Sequence, residues 1–294
     1  VRYSFAVCDV FTQSSFGGNP LAVVLDAEGL TTQQMQNIAR EFNYSETTFV
    51  LPPQRGGDFH VRIFTPSSEV PFAGHPNIGT SFVLAKKGLV RTPTVVFEEK
   101  AGDVPVSIDL DGRGNVYTEL TAPEPLSLSA EFPVELLAEI LTLSVSDIEV
   151  SRHQPLQASV GLPFIMVELT NLEALQQAKV NSLALEQLLT VSDSPFIHIY
   201  YRSNDDFDLR ARMFAPTDGV PEDPATGSAN CALAALLATL DLRDSFVQTH
   251  VIAQGVEMGR PSQLKTTVVK NDGEINEVKI GGYSVLFSEG EFEI

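Results

Sequence analysis

The sequence predicts an α+β protein of two pseudo-symmetric domains, each a curved mixed β-sheet or barrel around one central apolar helix. Three observations predict it. Residues 62–71, RIFTPSSEVP, and 212–221, RMFAPTDGVP, are identical at five positions at an offset of 150, the mark of one unit present twice. Upstream, Gly18-Asn19-Pro20 leads into LAVVL and Gly161-Leu162-Pro163 into FIMVEL, both readable as buried strands. Downstream, FAGHPNIGTSFVLAKKG and EDPATGSANCALAALLATL each pass through a glycine turn into a helix. The stretch from Asn230 to Leu240 has almost no polar face, which suits a helix buried all round.

Taken in order, LAVVL gives way to a helix capped by Thr31 or Thr32, with Met35, Ile38, Ala39 and Phe42 at i, i+3, i+4 and i+7. The strand TTFVL follows. In the second half Leu183, Leu185, Leu188 and Leu189 supply the comparable apolar surface. Pro76 and Pro224 stand where the two central helices should begin, because proline at the first helical position gives up no bonded N–H. That makes His75 and Asp223 the expected N-caps, and the offset pairs Ala73 with Asp223. The proline-containing stretch Thr121-Ala122-Pro123-Glu124-Pro125 reads as the linker. The expected domains are 1–122, completed by 282–294, and 123–281.

Composition narrows the function. With 294 residues, 43% of them hydrophobic, the chain can bury a large core. No apolar run reaches the roughly 18 to 20 residues that cross a bilayer, and no basic segment followed by an apolar stretch opens the sequence. A net charge of -19 opposes nucleic acid and anionic membranes, since both need a basic patch. Two cysteines, Cys8 and Cys231, suit a reducing compartment better than a disulfide framework, so a cytoplasmic location is expected. Both read as buried structural thiols. The five histidines show no metal-ligand spacing, and no glycine turn matches a phosphate or dinucleotide loop. No metal and no cofactor is implied.

The chemistry gathers at the two helix starts. Thr226-Gly227-Ser228 and Ala73-Gly74-His75 leave first-turn N–H groups lightly shielded, a place for a carboxylate or oxyanion. Two such ends facing one cavity would bind a small anion without lysine or arginine. On residue type alone Asp223 reads as a helix cap and Glu46, in Tyr44-Ser45-Glu46-Thr47-Thr48-Phe49-Val50, as an exposed turn residue.

Four motifs in this order, DVFTQSSFGGNPLAVVL, SETTFV, RIFTPSSEVPFAGHPNIGTS and RMFAPTDGVPEDPATGSA, resemble the phenazine-biosynthesis isomerase (PhzF-like) family of the diaminopimelate-epimerase-like fold. The resemblance covers nearly the whole chain. It implies a cofactor-independent isomerase in which Glu46 is the acid/base, with His75 and Asp223 assisting. Ser45, Gly74, Gly227 and Ser228 would bind the substrate, a small carboxylate like dihydro-hydroxyanthranilate. A carboxyl whose pKa an apolar cavity raises can take a proton at one carbon and return it at another. The resemblance also implies a homodimer. The alternative is a non-catalytic member of the fold that binds a small molecule or a protein. A cysteine-based amino-acid racemase is disfavoured, because neither Ala73 nor Asp223 is a thiol.

Overall fold

The computed structural model describes residues 1–111, 114–190, 192, 194–218 and 220–294; Gly219 of the second motif copy lies outside them. Two compact units emerge, Val1–Thr121 with Gly281–Ile294, and Ala122–Ile280.

In the first unit the order is β1 (Arg2–Val10), β2 (Asn19–Val24), α1 (Thr32–Phe42), β3 (Glu46–Leu51), β4 (Phe59–Phe64), β5 (Glu69–Val70), α2 (Gly74–Lys86), β6 (Thr94–Glu99), β7 (Gly102–Leu110) and β8 (Val116–Thr121). The second unit holds β9 (Ser127–Glu131), α3 (Val134–Leu141), β10 (Leu156–Ser159), β11 (Pro163–Glu168), α4 (Leu172–Gln177), α5 (Ser182–Leu188), β12 (Ile197–Arg202), β13 (Leu209–Ala215), β14 (Val220–Asp223), α6 (Gly227–Leu240), β15 (Phe246–Gln254) and β16 (Ser262–Asn271). The last strand, β17 (Glu274–Glu293), supplies residues to both.

Eight strands of the first unit close on themselves. β1 pairs with β2, β2 with β3 in parallel, β3 with β4, β4 with β6 in parallel, then β6 with β7, β7 with β8, β8 with β17 and β17 with β1. α2 packs against β1, β2, β3, β7 and β8, and all its residues from Gly74 to Leu84 are buried. Its polar side chains are bonded there: Thr80 to Thr48 at 2.8 Å, and Ser81 to the Ile78 carbonyl at 2.9 Å. α1 packs on β3 and β4, burying Met35, Ile38 and Ala39 against Tyr3, Val24, Phe49 and Phe64. Thr31 caps α1 in a reciprocal box with Gln34, which satisfies two otherwise orphaned donors.

The second unit repeats these pairings in a curved sheet. β10 pairs with β11, β11 with β12 in parallel, β12 with β13, β13 with β15 in parallel and β15 with β16. α6 packs on β10, β11, β15 and β16, buried along its length except for Ser228 and the last residues. Outside the sheet, α3, α4 and α5 bury Leu137, Leu141, Leu175, Leu185 and Leu188 against Ile165, Val167, Ile197 and Ile199. Leu183 and Leu189, expected on that face, are exposed instead. The seven-residue α5 has one short apolar stripe, and neither leucine falls on it.

Two matched ion pairs fix how the units correspond. Arg62 Nε and Nη2 donate to Glu69 at 2.7 and 2.9 Å, and Arg212 Nε and Nη2 donate to Glu222 at 2.8 and 2.9 Å. Each guanidinium also lies over a phenylalanine ring, Phe64 or Phe214, about 5 Å from its centroid. Arg62 and Arg212 keep the offset of 150, but Glu69 and Glu222 stand 153 apart. A 3-10 turn at Pro216–Asp218 lies between the two partners in the second unit. Val70 therefore corresponds to Asp223, and the Val70/Val220 and Pro71/Pro221 identities are coincidences of sequence.

The same shift corrects the helix starts. The N-caps are Ala73 and Thr226, not His75 and Asp223. His75 is the second residue of α2, and Asp223 ends β14, with Pro224 ahead of the helix. Ala73 thus pairs with Thr226 rather than with Asp223; neither of the two is a thiol.

Candidate active site

In the first unit β3 begins at Glu46, opposite Leu21 of the parallel β2. This register sets Glu46 beside the turn into β2, where Asn19 and Pro20 lie. Gly18 makes that turn with φ of +63°, and a Cβ there would stand 2.2 Å from the Val10 carbonyl oxygen, so only glycine fits. His75 reaches the same place from the first turn of α2. Its Nδ1 lies 3.4 Å from Glu46 Oε2 and 3.4 Å from Asn19 Nδ2.

Burial sets the charge of His75. The ring is 5% exposed, and desolvation pushes its pKa down to about 3, outweighing a hydrogen bond to the Pro20 carbonyl that pulls the other way. At neutral pH the imidazole is uncharged, so its contact with Glu46 is a hydrogen-bonding contact rather than an ion pair. The other ring nitrogen, Nε2, is buried with no partner among the described residues. Glu46 keeps about a fifth of its side chain exposed, and Ser45 before it is half-buried.

Gly74 opens α2 behind an extended N-cap, Ala73, which has no side-chain hydrogen bond to offer. Asn77 Nδ2 donates back to the Ala73 carbonyl at 3.0 Å. The first-turn N–H groups are thereby left without a side-chain cap, as anion-binding helix starts are.

The second unit builds its helix start on a tighter network. Thr226 Oγ1 donates to Asp223 Oδ2 at 2.5 Å, and so does not cap α6. Gln254 Nε2 donates to Thr226 Oγ1 at 3.0 Å and to the Asp223 carbonyl at 2.8 Å. Its Oε1 accepts from Asn230 Nδ2 at 2.8 Å and from the Thr226 N–H at 3.2 Å. Asn230 also donates to the Thr226 carbonyl at 2.9 Å, as Asn77 does to Ala73. Asp223 is 7% exposed; Gly227 is buried and Ser228 half-buried at the head of α6.

Sequence reasoning missed Asn19, Asn77 and Gln254 as site-builders, and the bond of Thr226 to Asp223. Asn19 and Thr226 lie inside the quoted motifs, and the shared asparagine four residues after each N-cap was a visible signal. Gln254 carries no local signature, since strand register alone brings it to α6. Cys8 and Cys231 are buried and not disulfide-bonded, and burial pushes the Cys8 pKa up. Among the described residues no three histidine, cysteine, aspartate or glutamate side chains cluster as metal ligands, and no helix is long and apolar enough to cross a membrane.

Comparison with known proteins places this arrangement in a family. The profile of phenazine biosynthesis-like proteins (PhzC-PhzF) matches residues 8–290. An isomerase of Mesorhizobium japonicum that is otherwise uncharacterized is 36% identical over 99% of both chains. The trans-2,3-dihydro-3-hydroxyanthranilate isomerase of Pseudomonas aeruginosa is 35% identical over 98% of both. Among solved structures, the PhzF-family phenazine biosynthesis protein of Bacillus anthracis superposes with a TM-score of 0.90 at 28% identity, covering all of both chains. A hydroxyproline epimerase from Agrobacterium vitis, 14% identical with a TM-score of 0.64 over 99% of this chain and 91% of its own, shares the fold. The chain is a member of the phenazine biosynthesis-like PhzC-PhzF family, and it is an isomerase.

Proposed function

We propose that the protein isomerises a small cyclic carboxylate of the trans-2,3-dihydro-3-hydroxyanthranilate type by moving one proton between carbons, with Glu46 as the acid/base and no cofactor. The observation that supports it most is the contact of Glu46 with a neutral, buried His75. A carboxylate set against an uncharged imidazole at the edge of the site can accept a proton from a substrate carbon.

In this mechanism Glu46 removes a proton from one substrate carbon, and the C–H electron pair delocalises through the adjacent double bonds toward the substrate carboxylate. The Glu46 O–H, a fifth exposed, exchanges its proton with solvent and then delivers a proton to the carbon at the far end of the conjugated system, breaking O–H and forming C–H, with no net gain or loss of electrons. Ser45 and the backbone N–H groups at Gly74, Gly227 and Ser228 hold the substrate carboxylate, where charge accumulates during transfer. His75 keeps Glu46 oriented through its Nδ1 contact and assists proton transfer. Asp223, fixed by Thr226, assists proton transfer.

Incubation with trans-2,3-dihydro-3-hydroxyanthranilate in deuterated water tests it. Deuterium at the protonated carbon is the expected result, and its loss in Glu46→Gln identifies the base.

A further inference from the structure

Glu99, the last residue of β6, and Gln254, the last residue of β15, occupy corresponding places in the two units. One aspartate fixes each strand in the same way. Asp58 N–H donates to the Val96 carbonyl at 2.9 Å while its carboxylate accepts from Val96 N–H at 2.7 Å; Asp208 and Val251 repeat both bonds at 2.9 and 2.7 Å. Glu99 follows Val96 by three residues, and Gln254 follows Val251 by three. Parallel pairing gives the same correspondence, with Phe59 opposite Phe97 and Leu209 opposite Ile252.

Gln254 serves α6 because an amide both donates and accepts. It donates to Thr226 and to the Asp223 carbonyl, and it accepts from Asn230 and the Thr226 N–H. Glu99 is 1% exposed, with Asn77, the counterpart of Asn230, as its hydrogen-bonding neighbour. An ionised Glu99 would bring acceptors only, and neither of its oxygens has a close hydrogen-bond partner among the described residues.

The charged groups around Glu99 are engaged elsewhere. The Glu98 carboxylate accepts from the N–H groups of Gln54, Arg55 and Gly57. Arg55 reaches only the Glu99 carbonyl, at 3.2 Å, and pairs with Asp103 at 3.0 Å. His60 bonds the Glu98 carbonyl, Glu69 is held by Arg62, Lys100 is exposed, and His75 is neutral. A buried carboxylate without a cation is stabilised by taking up a proton.

We propose that Glu99 keeps its proton in the folded protein and, as a neutral acid, does for α2 what the amide of Gln254 does for α6. It is a positioning residue for the helix start that carries Gly74 and His75. Its bearing on turnover rests on the function proposed above; its protonation does not. Burial raises its pKa from 4.5 to about 8, against a smaller opposing pull from Asn77. The proton is held more tightly folded than unfolded. The stabilisation is therefore complete below the unfolded pKa, and it declines as pH rises through the folded one.

Glu99→Gln and Glu99→Ala test this in the intact chain. Glu99→Gln should melt near wild type at about pH 5 and above it at about pH 8, whereas Glu99→Ala should melt lower at both. Infrared spectra of the wild type at neutral pH should contain a protonated-carboxyl C=O stretch that Glu99→Gln lacks. With trans-2,3-dihydro-3-hydroxyanthranilate as probe, Glu99→Gln should keep wild-type turnover at neutral pH and hold it at alkaline pH, where the wild type declines. Wild type and Glu99→Gln with parallel melting profiles from about pH 5 to about pH 8, or no difference in the carboxyl stretch, would overturn the proposal. If the wild type turns over none of the probe, the substrate assignment fails while the melting and infrared results still decide the protonation. Should Glu99→Ala not fold, those two measurements on Glu99→Gln remain sufficient.

Discussion

The hydroxyl of Thr226 donates to the carboxylate of Asp223 at 2.5 Å while accepting from Gln254 at 3.0 Å. A residue at the N-cap position of α6 thus spends its side chain on the strand before it, leaving the helix start uncapped and fixing the rotamer of Asp223. Thr226→Ala should remove this hydrogen bond and lower turnover roughly ten- to hundredfold, the kinetic equivalent of about 1.4–2.8 kcal/mol, in the range of a hydrogen bond to a charged group. Thr226→Ser, which keeps the hydroxyl, should retain most of the activity. Steady-state kinetics on the two variants checks this, and equal losses in both would contradict the role of the hydroxyl.

Gly255, next to Gln254, should tolerate no side chain. Its φ is +72°, and a Cβ would stand 2.5 Å from the Arg260 carbonyl oxygen and 2.6 Å from that of Pro224. Both obstacles are backbone atoms that cannot swing away. Gly255→Ala should cost about 2 kcal/mol or more from strain at a positive φ together with the clash, read as a lower denaturant midpoint with an unchanged slope.

The neutrality of His75 predicts an acid-side signature. Its pKa falls from 6.5 to about 3 on folding, so between those values the unfolded chain binds a proton that the folded chain does not. Stability associated with this group is complete above about pH 6.5 and lost as pH falls toward 3. His75→Asn should therefore lose less stability than wild type between about pH 6.5 and 4 in denaturation titrations. His198, lowered to about 4 by burial, makes the same contribution in both proteins and cancels from the comparison.

Assembly as a homodimer predicts twice the chain mass of 31.9 kDa in light scattering at working concentrations. A monomer throughout would remove the dimer and leave the catalytic proposal standing.

Much of this architecture is legible in sequence because it follows local periodicity. A threonine cap at 31 or 32, the stripe of Met35, Ile38 and Ala39, the strands LAVVL, TTFVL and FIMVEL, and the burial of α6 come from residue type and spacing. The helix starts do not. Pro76 and Pro224 each suit a first helical position, but the turn at Pro216–Asp218 changes the offset from 150 to 153, and the matching Val-Pro pairs conceal that shift. Gln254 and Glu99 reach their helices only through parallel strand pairing, which links residues far apart in sequence and leaves no local trace. The exposure of Leu183 has a similar origin, since which turn of a short helix meets the sheet is a tertiary decision.

Carbon-bound deuterium tests most directly whether Glu46 carries the proton. In deuterated water with trans-2,3-dihydro-3-hydroxyanthranilate, the wild type should form product labelled at the newly protonated carbon. Glu46→Gln, nearly isosteric but unable to accept a proton at that position, should form none above the uncatalysed rate while melting within a few degrees of wild type. Rearrangement by Glu46→Gln as fast as by wild type would contradict the account.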